Sequence, residues 1–336
     1  MALPAARPGH AVRVVRVAPP PRVGAANLRL ANTRLLPGDV PSREPGCENF
    51  SRRKQSMTTE FPLLGEHAYV AYIQKLDSMG ANSTTHIAEV RYPVQAAPVL
   101  SVVKFLDPNC LAASNEAIAW LFLRAAGFVA PRHAAILALS AKKARDVVGK
   151  KAFDESLVTQ DCVIAWASQK LDFKSIRAYF AGTRADAEWI GLLRTLHGAQ
   201  IAAFDEVFLN ADRNTGNVLY SGRDSCIPID HEQIFDHQDW IGGNIMASTR
   251  DSDSLRVIKR AYDGGALSLG AYNDIKNKMV HHAQQHESAL AACKDQISKL
   301  IAKVFKDGSA TFEERILSFA AERTAEHWME TRLGVV

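Results

Sequence analysis

Between residues 69 and 168 the apolar positions fall in short runs rich in β-branched and aromatic residues, bounded by polar turns. That pattern predicts strands at 69–73, 86–90, 98–106, 132–140 and 162–168. One helical period interrupts them. Ile118, Leu121, Phe122 and Ala125 recur at i, i+3, i+4 and i+7, with Ser114 as the expected N-cap and Gly127 as the stop. The charged stretch 141–160 is expected as an exposed insertion. From residue 185 onward the period becomes helical. Trp189, Leu192, Leu193, Leu196 and Ala199 predict one long helix over 185–203, and further helices are expected over 254–262, 269–304 and 311–329, with Gly264-Gly265 and Gly308 as breaks. Short strands at 207–209 and 218–220 would hold a polar loop between them as a hairpin. The fold class read from this pattern is α+β, with a small β-rich part followed by a mostly helical one.

That loop, Asn210-Ala211-Asp212-Arg213-Asn214-Thr215-Gly216-Asn217, is the most informative stretch of the chain, together with Ile229-Asp230-His231. Asp212 and Asn217 stand five apart, and Asp230 ends a second apolar run. Phosphoryl transfer from ATP needs a carboxylate near the attacking hydroxyl and hard oxygen ligands for Mg²⁺, and these residues supply both. Turn chemistry alone is the competing reading, since Asp, Asn and Gly are ordinary turn residues; a strand ending in an acid at Asp230 argues against it. Upstream, Lys104 interrupts the apolar run 98–106, twelve residues before Glu116 on the predicted helix. A strand lysine oriented by a helix glutamate is the phosphate clamp of kinases. Alternatively, Lys104 snorkels from an edge strand and Glu116 merely complements a helix N-terminus.

The segments 100–106, 115–119, 123–131, 204–205, 209–219 and 229–231 together resemble the compact HipA-like kinases, and the D-R-x-x-x-N form of the loop is more distantly similar to the phosphatidylinositol kinases. The resemblance spans about residues 60–240. It implies a bilobal protein-kinase-like fold, with an N-lobe over 58–161 and a helical C-lobe over 162–336, that uses ATP and Mg²⁺ to phosphorylate serine or threonine. Carried over by position, Asp212 is the catalytic base, Asn217 and Asp230 are metal ligands, and Lys104 with Glu116 is the clamp. The chain departs from the pattern at Asn214, where many relatives carry His, and no G-x-G-x-x-G precedes Lys104. Gly80, Ser83 and Thr84 form the nearest candidate for a phosphate-covering turn, a plain hairpin turn being the alternative. Ala165, Trp166 and Ser168 are the candidate adenine hinge, although a tryptophan there serves equally as core. A catalytically weak pseudokinase and a lipid or small-molecule kinase are the other function classes, and the phosphoryl acceptor is not named by any residue.

Composition narrows the partners. The 336 residues are 47% hydrophobic and 23% charged with a net charge of +4, but residues 1–56 hold ten Lys or Arg against three acids, which leaves the rest of the chain negative by three. The body therefore shows no nucleic-acid footprint. The Pro- and Arg-rich leader has no apolar core of a signal peptide and is expected to be disordered and dispensable, with Met57 the expected true start. No run of 18 apolar residues predicts a membrane span. Five scattered cysteines without a C-x-x-C pair point to free thiols in a reducing cytoplasm. His282 and His286 have metal-compatible spacing on a helix, but a solvated helix face is the expected reading.

Overall fold

The computed structural model describes residues 60–335, apart from 77–83, 94, 109, 150–152, 181, 237–248 and 306–308. The basic leader, Gly80, Ser83 and Gly308 therefore lie outside the described residues. The chain opens with β1 (Leu63–Gly65), β2 (Tyr69–Lys75), β3 (His86–Val90) and β4 (Val99–Phe105), then α1 (Ala112–Ala125), β5 (Ala134–Ser140), α2 (Ala141–Val148), β6 (Val158–Thr159) and β7 (Cys162–Gln169). These strands form one seven-stranded sheet in the order β1-β5-β7-β4-β3-β2, with β6 paired to β7; β1 runs parallel to β5 and its other pairings are antiparallel.

Strand alternation gives the centre of this sheet two buried faces. Ile136, Ala138, Ile164 and Trp166 point to one side, where α1 packs Ile118, Leu121 and Phe122 against them. Ala135, Leu137, Val163, Ala165, Val103 and Phe105 point to the other, which α2 covers with Ala144 and the following loop with Phe153 and Leu157. The described residues of 141–160 are thus a packed cover rather than an exposed insertion, because Ala141 and Ala144 share the inner face of α2 and its Lys143 and Arg145 lie over the rings of Tyr69 and Phe153. Strand β7, expected to open the second lobe, is hydrogen-bonded between β4 and β5.

The remaining elements are β8 (Lys174–Ser175), α3 (Ile176–Tyr179), α4 (Thr183–Leu193), α5 (Leu196–Val207), β9 (Val218–Gly222), β10 (Ser225–Pro228), α6 (Asp253–Asp263), α7 (Leu269–Ala283), α8 (His286–Val304), α9 (Ser309–Thr324) and α10 (Trp328–Leu333). β8, β9 and β10 make a second, three-stranded antiparallel sheet. The single helix expected over 185–203 is two helices. Thr195 caps α5 through its Oγ to the Gly198 amide, and Gly198 crosses the end of α4 so closely that a Cβ there would stand 1.9 Å from the Leu192 carbonyl oxygen. The helix expected over 269–304 likewise breaks between α7 and α8. Residues 207–209 are not a strand: Val207 ends α5, and Phe208 and Leu209 turn the chain out of it, with Leu209 at φ +48°. In α1 the helix begins before Ser114, which puts Glu116 past the first turn, and Gly127 closes it at φ +74°. Among the described residues no helix is long and apolar enough to cross a membrane.

Candidate active site

Lys104 lies on the face of β4 opposite the buried Val103 and Phe105, the face on which α1 sits. Its Nζ is 3.1 Å from Asp230 Oδ1 and also pairs with Glu232 Oε1. Burial works against the ammonium, but Asp230, Glu232 and Glu116 together outweigh it and raise its pKa. The expected Lys104–Glu116 ion pair is not formed: among the described residues Lys104 is paired by the two acids after β10, and Glu116 Oε2 instead faces His231 Nδ1 at 3.3 Å. Glu116 is fully buried, and burial reinforced by the Asp230 charge pushes its carboxyl upward. Burial also raises Glu232, with Lys104 opposing. The same burial drives His231 down to about 3, so it stays neutral, and its Nδ1 shares one hydrogen bond with the Glu116 carboxyl.

The 230s segment is fixed to α1 by Asn115, whose Nδ2 donates to the Glu232 carbonyl at 2.7 Å. Asp230 itself has φ +60°, a left-handed conformation uncommon outside glycine that Asp adopts more readily than most residues. The carboxylate oxygens of Glu116, Asp230 and Glu232 come within 4.8 Å of one another. Glu232 escaped the sequence reading. Its one signal was an acid two positions after Asp230.

Opposite them, the loop after α5 is tied down by a buried ion pair. Arg213 and Asp205 are both fully buried, with Arg213 Nε and Nη2 donating to the Asp205 carboxylate at 3.0 Å and Nη1 donating to the Asn217 and Ile229 carbonyls at 2.7 and 2.6 Å. Asp205 also accepts from Asn210 Nδ2 at 3.0 Å and from Ser254 Oγ at 2.6 Å. One guanidinium thus joins α5, the entrance to β9 and the exit of β10, which carries Asp230. This is where the fold differs from the expected hairpin: the loop hangs from a helix and a buried charge pair.

Both oxygens of Asp212 are held. Asn214 Nδ2 donates to Oδ1 at 2.9 Å, and Asn217 Nδ2 donates to Oδ2 at 3.2 Å and to the Asp212 carbonyl at 2.7 Å. The Asp212 amide donates to Asn210 Oδ1 at 3.1 Å, a local turn that sets the loop's direction. Asn217 and Asp230 are linked through the Ile229 amide, which donates to the Asn217 carbonyl at 3.1 Å. Lys104, Glu116, Asp212, Asn217 and Asp230, far apart in sequence, therefore belong to one connected set of contacts.

Ala165, Trp166 and Ser168 do not join it as hinge residues. Ala165 is paired with Phe105 and Leu137, Trp166 with Lys104 and Ile136, and Ser168 with Val102 and Ala134, so their backbone groups serve the sheet on both sides. Trp166 stacks its ring on Phe61 with centroids 6.0 Å apart. Thr84 is buried, with its carbonyl accepting from His86 Nδ1 at 2.8 Å. His282 and His286 fall on different helices, and His286 is not on a solvated face: it is buried against Phe122 with ring centroids 5.3 Å apart. The described cysteines, Cys110, Cys162, Cys226 and Cys293, are free thiols. Neither protein-family models nor curated proteins give a match to this sequence.

Proposed function

We propose that the chain is an ATP- and Mg²⁺-dependent phosphotransferase of the bilobal, kinase-like, HipA-like type. The observation that carries this reading is the convergence of a strand lysine, a helix glutamate and the acids Asp230 and Glu232, with the Asp212 loop tied to the same segment through Asn217 and Arg213. Lys104 Nζ meets Asp230 Oδ1, and Arg213 bonds the carbonyls preceding Asp230 and at Asn217. Asp230 with Asn217 or Glu232 would hold Mg²⁺, since all offer hard oxygen donors, and the ion would neutralise charge on the phosphates. Lys104 is the cation available to a phosphate once a metal takes Asp230 and Glu232. Asp212, its oxygens oriented by two carboxamides, is placed by this reading as the base for an acceptor hydroxyl.

The pseudokinase alternative rested on Asn214 standing where relatives carry His. Asn214 donates to Asp212, so the position still supplies an orienting N–H. The acceptor group is an alcohol in this reading, as for serine or threonine.

Two substitutions test the proposal. Asp230→Ala is expected to remove stabilisation by Mg-ATP in a thermal-shift titration while the unliganded protein still folds; equal stabilisation of parent and variant would sink the metal assignment. Asp212→Asn is expected to keep Mg-ATP binding and to lower autophosphorylation by at least ~100-fold. A variant as active as the parent would move the base elsewhere.

A further inference from the structure

We propose that Arg177 is a positioning residue for Asp212, acting through Asn214; this deepens the phosphotransferase reading and rests on it. Arg177 comes from α3, in the chain just after β8, and its backbone amide donates to the Thr215 carbonyl at 2.9 Å, which fixes it beside the 212 loop. Its Nη2 donates to Asn214 Oδ1 at 2.8 Å, and the Gly216 amide donates to the same oxygen at 2.8 Å. Two N–H donors on one end of a carboxamide require that end to be the oxygen. The amide nitrogen is thereby committed to the other side, where it donates to Asp212 Oδ1 at 2.9 Å.

A carboxamide alone is a poor substitute for an imidazole, because it can flip and present either an acceptor or a donor to the carboxylate. Arg177 removes that freedom, and its charge polarises the amide so that the N–H facing Asp212 becomes a stronger donor. The relay Arg177, Asn214, Asp212 thus holds one carboxylate oxygen, and Asn217 holds the other. Gly216 belongs to the same arrangement. A Cβ there would stand 2.9 Å from Asn214 Oδ1 and 3.4 Å from the Arg177 guanidinium carbon, so a side chain at 216 would force the relay apart.

The experiment uses the full chain in two readouts. In steady-state turnover of Mg-ATP, Arg177→Ala is expected to lower kcat about tenfold at unchanged KM for ATP, as misorientation of one reacting group does. Arg177→Lys, whose ammonium reaches nearly as far as the guanidinium and keeps an N–H donor, should recover most of the rate. Asn214→Ala and the Arg177→Ala/Asn214→Ala pair should be equally slow, because Arg177 has no effect once its target is gone. In ¹⁵N-asparagine-labelled protein the Asn214 side-chain amide, assigned by its loss in Asn214→Ala, should move in Arg177→Ala toward the position of a freely exchanging carboxamide. A raised KM with unchanged kcat, additive losses in the double variant, or an unmoved Asn214 signal would each overturn the proposal. A parent that turns over no ATP overturns it together with the function it rests on. The amide spectrum tells the two failures apart, since it needs no turnover.

Discussion

Arg213 and Asp205 show at the scale of single residues how much of the site rests on one buried pair. Both side chains are inaccessible to solvent, and the guanidinium also satisfies two backbone carbonyls that flank the site. Removing one partner leaves the other charged and dry, which costs about 3–5 kcal/mol. Asp205→Ala is therefore expected to lower the free energy of unfolding by that amount in urea titration. Replacing both partners by apolar residues, as in Asp205→Leu with Arg213→Met, should regain much of the stability and still abolish stabilisation by Mg-ATP, because the Asn217 and Ile229 carbonyls lose their shared donor. A double variant that binds Mg-ATP normally would show that the pair serves stability alone. The sequence offered Asp212, Asn217 and Asp230 because their spacing is local. Asp205 and Arg213 are just as close in sequence, yet a helix residue and a loop residue become partners only when the chain buries both.

The helices after α5 reach back to it at the scale of elements. Glu206, fully buried on α5, accepts from Arg332 Nε on α10 at 2.6 Å and from the Ser252 amide at 2.9 Å, while Arg323 on α9 donates to the Glu206 carbonyl at 2.9 Å. The last helix is short, with Met329 and Leu333 as its buried residues. Its ion pair matters more than its length suggests. Ending the chain at Glu326 should destabilise the protein by about 3–5 kcal/mol, the cost of leaving a buried charge unpaired. Adding Glu206→Gln to the shortened chain should restore part of that loss in thermal melts. No restoration would mean that the loss comes from apolar burial. Five of the seven strands of the first sheet and α1 were readable from period, since their apolar residues repeat cleanly, whereas β1 and β6, three and two residues long, are too short to show one. The break at 194–195 was not, because a capping threonine and a tight crossing at Gly198 leave the helical period on both sides undisturbed, and the break at 284–285 falls on two glutamines that carry no side-chain cap to mark it.

Acid sensitivity is a property of the whole molecule. His286 is buried between α8 and α1, and burial, with the neighbouring His282, holds its pKa down to about 3. An unfolded histidine binds its proton near pH 6.5. Between those values the unfolded chain takes up a proton that the folded chain refuses, so stability falls as pH drops below about 6.5, by about 1.4 kcal/mol per pH unit for this one group. Glu116 and Glu232 act with the opposite sign, since their raised pKa values make the folded protein bind protons more readily than the unfolded chain does. Comparison of variants isolates the histidine. His286→Leu is expected to unfold at a similar temperature at pH 7.5 and to lose less stability than the parent between pH 6.5 and 5. Parallel pH profiles for the two proteins would place the acid sensitivity elsewhere.

The sequence by itself determined the sheet-forming runs, the helical second part and the candidate acids Asp212 and Asp230, because each of these is written in local period or local spacing. Tertiary structure decided the partners. Lys104 was expected to meet Glu116, and it meets Asp230 and Glu232, because Asn115 pins the 230s segment to the start of α1 and brings those acids to the strand. Trp166 was a candidate for an adenine contact and is a stacked core residue, because strands on both sides of β7 use its backbone. Pairings of this kind depend on which faces are buried and on which charges must be satisfied once water is excluded. Neither condition exists until the sheet and the helices have closed over one another.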